Sequence, residues 1–180
     1  MRVTLKLHPG SRCEAVTQIQ VEAVRHDPSG LMLKYLVTGT IGDLRLLPVT
    51  TPVRADELWR HTCFEAFVQP SSGPAYYEFN FAPSTQWAAY RFSGYRSGMT
   101  VASEISPPRI EANSKGESYE LQVLVDLDGL HDLPSNTPWR LGLSAVIEET
   151  TGRKSYWALA HPPGKPDFHH SDGFTLELAV

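Results

Sequence analysis

Two alternating runs between residues 76 and 96 constrain this chain most. The first reads Tyr76-Tyr77-Glu78-Phe79-Asn80-Phe81; the second reads Trp87-Ala88-Ala89-Tyr90-Arg91-Phe92, with a Pro83-Ser84 turn between them. A period of two is the signature of a strand, because successive side chains leave a pleated backbone on opposite sides. Tyr77, Phe79 and Phe81 therefore share one face, and Tyr76, Glu78 and Asn80 the other. In the second run Ala88, Tyr90 and Phe92 oppose Trp87, Ala89 and Arg91. If the first-named face of each run is core, the opposite one displays Glu78, Asn80, Trp87 and Arg91 together. A sheet face carrying carboxylate, amide, indole and guanidinium is suited to recognition and is not by itself catalytic.

The rest of the chain repeats the pattern. Alternation predicts strands over Val3–Leu7, Val16–Val24 and Leu31–Val37. The last two form a hairpin around the turn residues Pro28, Ser29 and Gly30. Further strands are expected at Leu44–Leu47, Thr62–Val68, Thr100–Ile105, Ile110–Asn113, Ser118–Val125, Trp139–Glu149, Ser155–Ala160 and Phe174–Leu178. Leu127–Leu133 has room for a single helical turn. No segment sustains the i, i+3, i+4, i+7 pattern of an amphipathic helix over three turns. Short strands at regular spacing with Gly/Pro turns predict an all-β fold, an antiparallel β-sandwich of jelly-roll or immunoglobulin-like form. With no repeat, linker or low-complexity tract, residues 1–180 read as a single domain.

Composition narrows the function classes. A chain of 180 residues buries roughly 70% of its unfolded surface, so it needs no metal or disulfide to fold. The net charge of −4 comes from interspersed acids and bases. Without a Lys/Arg run there is no electrostatic footprint for nucleic acid. No apolar run is long enough to cross a bilayer, and the N-terminus alternates like a strand instead of carrying a signal-peptide core. A cytoplasmic location is expected. Cys13 and Cys63, the two cysteines, are expected as buried thiols in a reducing compartment. The sequence carries no indication of oligomeric state.

Several residues suit chemistry or binding. Glu65 lies mid-strand, and a carboxylate is costly to bury unpaired. If Thr62–Val68 pairs with Tyr76–Phe81, Glu65 and Glu78 become neighbours; they either pair with Arg91, Arg96 or loop amides, or contact a ligand. A glycosidase would need two carboxyls across a cleft, which one sheet face does not establish. Trp87 and Trp157 fall opposite Tyr90 and Tyr156, either as exposed stacking planes or as packing beneath a loop. The stretch Asp167-Phe168-His169-His170-Ser171-Asp172 is the best place for a metal, but adjacent histidines in a strand point apart and no His-x-x-x-His spacing accompanies them. Arg54, Asp56 and Trp59-Arg60-His61 lie in a loop placed to rim a pocket. There is no Gly-x-Ser-x-Gly elbow and no phosphate loop.

In combination, Thr62-Cys63-Phe64-Glu65-Ala66-Phe67, Tyr77–Ser84, Trp87-Ala88-Ala89-Tyr90, Tyr95-Arg96-Ser97-Gly98-Met99, Ala145–Glu149, Ser155–Leu159 and Pro166–His170 resemble the DOMON-like group of bacterial proteins. That group is similar to the family-nine carbohydrate-binding modules, and the resemblance runs along nearly the whole chain. It implies a β-sandwich and a non-catalytic role in binding a small polar ligand, with a saccharide as the leading class. In such modules tryptophans stack on the sugar. Trp87 and Trp157 would stack here, with Glu65, Glu78, Asn80, Arg91, His169 and His170 supplying polar contacts. No cofactor is expected on this reading. Other DOMON domains bind haem through Met and His, for which Met99 and a histidine of the His161–His170 loop would be the ligands. A metal-assisted hydrolase and a protein-docking module are the remaining alternatives.

Overall fold

A computed structural model describes residues 1–26, 29–130 and 132–180. It is all-β, with three single 3₁₀ turns at Ile41–Asp43, Leu58–Arg60 and Ser171–Gly173. The strands are β1 (Arg2–Leu7), β2 (Val16–His26), β3 (Gly30–Gly39), β4 (Cys63–Pro70), β5 (Tyr76–Phe81), β6 (Trp87–Phe92), β7 (Thr100–Val101), β8 (Arg109–Lys115), β9 (Ser118–Asp126), β10 (Trp139–Glu148), β11 (Lys154–Ala158) and β12 (Leu176–Leu178). They form one antiparallel sheet in the order β7-β6-β5-β4-β10-β11-β1-β2-β3-β9-β8, with β12 beside β10. Among the described residues no helix is long and apolar enough to cross a membrane.

The sheet curls because β1 serves two partners. Its Arg2–Leu5 half pairs with β2, while Lys6 and Leu7 pair with β11. The two wings fold toward each other over one apolar core in which Ile19, Leu33 and Tyr35 of one wing meet Phe64, Phe79 and Leu143 of the other. Tyr35 ties the wings by donating its hydroxyl to the Glu65 carbonyl at 2.8 Å, and its ring lies 5.0 Å from that of Phe64.

The two wings use alternation differently. In β2, β3 and β9 buried and more exposed residues alternate, as expected for a sheet with one wet face. In β4 and β5 every residue is buried. The outer face of these strands is covered by loop residues, and a second apolar cluster of Leu58, Phe67, Tyr76, Tyr90, Phe92 and Phe174 fills the space between. Gly142 permits that cover: a Cβ there would lie 2.5 Å from the Phe174 ring.

Some expected elements differ. Leu44–Leu47 forms no strand; Leu44 makes an isolated bridge to Glu149, and Pro48 follows. The strand expected over Thr100–Ile105 is cut to two residues. Leu127–Leu133 makes successive turns, with Leu130 N–H donating to Leu127 and Leu133 N–H to Leu130; His131 lies outside the described residues. So do Asp27 and Pro28 of the expected β2–β3 turn, whose flanking strands pair from Val16 to Gly39. Cys13 and Cys63 are free thiols, but only Cys63 is fully buried.

Candidate functional site

Register decides which side chains meet. Phe81 lies opposite Trp87, Asn80 opposite Ala88 and Glu78 opposite Tyr90. Directly opposed residues share a face, so Tyr90 and Phe92 join Tyr76, Glu78 and Asn80 on the outer side. Trp87, Ala89 and Arg91 join Phe79 and Phe81 on the inner side. This corrects the expected grouping. Trp87 is a core residue, 3% exposed, with the Arg54 guanidinium 4.1 Å above its ring. Trp157 is 5% exposed in the same core, its indole N–H donating to Ser155 Oγ at 3.0 Å. Neither presents a stacking plane. Arg91 is turned away from Glu78 and forms an ion pair with Asp132.

On the outer side, β4 continues the face. Glu65 lies opposite Asn80 and Phe67 opposite Glu78; Ser144 lies opposite Glu65 on β10, and Tyr156 of β11 opposite Val146. These strands floor a cleft of about 870 Å³ lined by Glu65, Glu78, Tyr90, Phe92, Val146 and Tyr156. Three segments wall it, the first ending in the Leu58–Arg60 turn and the second running into β7. The first brings Asp56, Glu57 and Trp59; the second Arg96, Met99 and Val101; the third Pro166, Phe168 and His169. Asp56 is held by the Tyr90 hydroxyl, which donates to it at 2.6 Å. Ala55 N–H donates to the Trp87 carbonyl at 2.9 Å, docking the first segment along β6. Trp59 is left 48% exposed at the mouth. Glu57 and Arg96 are two of the three non-glycine residues with left-handed backbone among those described. Such strained positions concentrate at functional loops.

The floor holds two carboxylates in an apolar setting. Glu65 and Glu78 are 3% and 6% exposed. Ser144 Oγ donates to Glu65 at 3.4 Å, and Asn80 Nδ2 donates to Glu78 at 2.7 Å. Burial pushes the Glu65 carboxyl well above its ordinary value, and the neighbouring Glu78 charge adds to this. Burial also raises Glu78, opposed by the Asn80 hydrogen bond and the Arg96 charge.

His169 stands beside them, boxed by Phe67 and Phe92 with ring centroids 5.1 Å away. Arg96 N–H donates to the Tyr76 hydroxyl oxygen at 3.3 Å. The Tyr76 hydroxyl can then donate to His169 Nδ1 at 2.8 Å, which leaves the ring proton on Nε2, 3.7 Å from Glu78. Burial, with help from Arg96, lowers the imidazole to about 4, so it is neutral at pH 7. Burial pushes the Tyr76 phenol up to about 12.

Of the expected binding residues, Glu65, Glu78, Asn80 and His169 come together. His170 turns away, accepting from Asp172 N–H at 3.2 Å, because neighbours in an extended segment point apart. Met99 and His169 both line the cleft, but His169 Nδ1 is taken by Tyr76. Among the described residues no three His, Cys, Asp or Glu side chains converge to hold a metal ion. The Asp56–Trp59 loop rims the pocket as its position suggested. Tyr156 and Phe168 escaped a reading based on polar groups; the period-two pattern placing Tyr156 opposite Trp157 was a signal for the first, and Phe168, in a loop, had none.

No protein-family model and no curated protein matches the chain. Among solved structures it is similar to a candidate carbohydrate-binding protein from Bacteroides uniformis, with 16% identity, a TM-score of 0.65 and coverage of 90% of this chain and 78% of that one. It is also similar to a family-nine carbohydrate-binding module from Caldicellulosiruptor kristjanssonii solved with cellotriose, with 10% identity, a TM-score of 0.55 and coverage of 97% and 80%. At these identities the likeness is one of fold: a curled antiparallel sheet that other chains also build.

Proposed function

We propose that this protein binds a saccharide, without chemistry, in the cleft over the outer face of β4, β5, β6, β10 and β11. The observation that carries this reading is Trp59, a half-exposed indole at the mouth of a cleft whose floor supplies Glu65 and Glu78. Apolar sugar faces stack on such rings, while hydroxyls need hydrogen-bond acceptors fixed at a set depth. Trp59 takes the stacking role that Trp87 and Trp157 are too buried to fill. Asn80 and His169 orient Glu78 from within the floor.

The solved neighbours support a sugar as the ligand class, and cellotriose is the first probe they suggest. On this reading the curled sheet is a β-sandwich of jelly-roll or immunoglobulin-like form and belongs to the DOMON-like group. The same proposal puts the protein in the cytoplasm, where soluble sugars or wall precursors would be the ligands.

Titration calorimetry of cello- and chito-oligosaccharides against wild type and Trp59→Ala tests the reading. Removing the indole should weaken binding by about tenfold or more, the loss typical of an aromatic anchor. Equal affinity in the two proteins would overturn the stacking role, and no binding by any sugar would overturn the function.

A further inference from the structure

We infer that the ligand of this cleft carries a protonated amine that seats on the Glu65–Glu78 floor between aromatic walls, which makes an amino sugar its natural occupant and a neutral sugar a poor one. This rests on the saccharide reading for the sugar and on separate observations for the charge.

The first observation is a pair of buried carboxyls left without a counterion. Glu65 and Glu78 face the cleft and are more than nine-tenths buried. Among the described residues neither forms an ion pair with a lysine or arginine. Their partners are neutral: Ser144 for Glu65, and Asn80 with the uncharged His169 for Glu78. Native proteins rarely bury carboxylates without pairing them, so a site that does so is built for a charge that arrives from outside.

The cations nearby do not fill this role. The Arg96 charge draws both carboxyls down in part, but its guanidinium hydrogen-bonds Asp167, at 2.8 Å and 3.2 Å, and touches neither. Lys154 lines the cleft from β11 without forming an ion pair to either floor carboxylate. Two further acids, Asp56 and Glu57, stand at the mouth. Glu57 is paired with Arg60 at 2.7 Å and Arg96 with Asp167 at 2.8 Å, which leaves Glu65 and Glu78 as the lining acids buried without a lysine or arginine partner.

The walls are the second observation. Trp59, Tyr90, Phe92, Tyr156 and Phe168 line the same cleft. An ammonium over aromatic faces is attracted by their quadrupoles, more strongly where water is excluded. Neutral hydroxyls gain nothing comparable and bring no charge to favour the ionised floor carboxyls.

Both carboxyls hold their protons above the ordinary range in the empty cleft. An arriving ammonium favours their ionised forms, so binding should release protons. Affinity should rise with pH through the carboxyl titration, until the amine itself loses its proton.

The test compares chitosan oligosaccharides with their N-acetylated counterparts, cello-oligosaccharides of equal length and the non-sugar amine spermidine, by calorimetry at pH 7 in buffers of different ionisation enthalpy. The expected result is at least tenfold tighter binding of the chitosan oligosaccharide than of either neutral sugar, with proton release. Glu65→Gln and Glu78→Gln, both near-isosteric and checked for folding by thermal unfolding, should erase the preference. Equal affinity for amino and neutral sugars would overturn the inference and leave the saccharide reading standing. Spermidine binding with no sugar binding would keep the charge and overturn the sugar. Binding of nothing would overturn both.

Discussion

At the residue scale the informative groups are those the fold buries against their preference. Glu65 is held in an apolar floor with one hydrogen bond from Ser144, and its carboxyl is raised well above the ordinary value of 4.5. Its contribution to stability is therefore fully present below pH 4.5 and is lost as pH climbs through the raised value. Glu65→Gln removes that loss. The variant should gain stability over wild type as pH rises, by about 1.4 kcal/mol for each unit of upward displacement. Urea titrations of both proteins at pH 5 and pH 8 measure this; a difference that does not grow with pH would show that Glu65 is solvated. His169 moves the other way, lowered from 6.5 to about 4, and stability due to it falls as pH drops across that window. Comparing the variant with wild type at each pH cancels this opposing trend. That Glu65 and Glu78 share one face of neighbouring strands was legible in the sequence from two alternating runs; their isolation from Arg91 was not.

At the element scale, β6 shows how much rests on register. The period of two separates Trp87 and Arg91 from Tyr90 and Phe92, and it did so correctly. It does not say which set faces the core, because shifting a pairing by one residue exchanges the faces. The turn between β5 and β6 decides this by placing Phe81 opposite Trp87, and the other wing on the inner side with loops on the outer side make each face of β4–β6 apolar enough to pass for core. Two tryptophans therefore have opposite roles. Trp87→Ala should destabilise the protein by about 3–5 kcal/mol through the cavity it leaves. Trp59→Ala should change stability by no more than about 0.5 kcal/mol, as expected for an exposed residue, while weakening sugar binding. Denaturant unfolding and calorimetry on the same two variants separate these effects. A small cost at Trp87 would contradict its burial.

At the scale of the whole molecule, β1 hydrogen-bonds to both wings, and one apolar core runs between them. Neither wing buries its inner face without the other. Unfolding should be a single cooperative event: the urea transition followed by far-ultraviolet circular dichroism should coincide with that followed by tryptophan fluorescence, which reports mainly on buried Trp87, Trp139 and Trp157. Separated midpoints would show that the wings unfold independently. The sequence by itself determined the all-β class, most strand positions and the outer-face grouping of Glu65, Glu78 and Asn80, because alternation is a local property that each strand writes into its own residues. Only the tertiary structure decided that Trp59 and not Trp87 faces the cleft, that His169 joins the floor while His170 leaves it, and that three distant segments wall one cavity. Those outcomes depend on strand register and loop docking, which are set by contacts between residues far apart in the chain and leave no period to read.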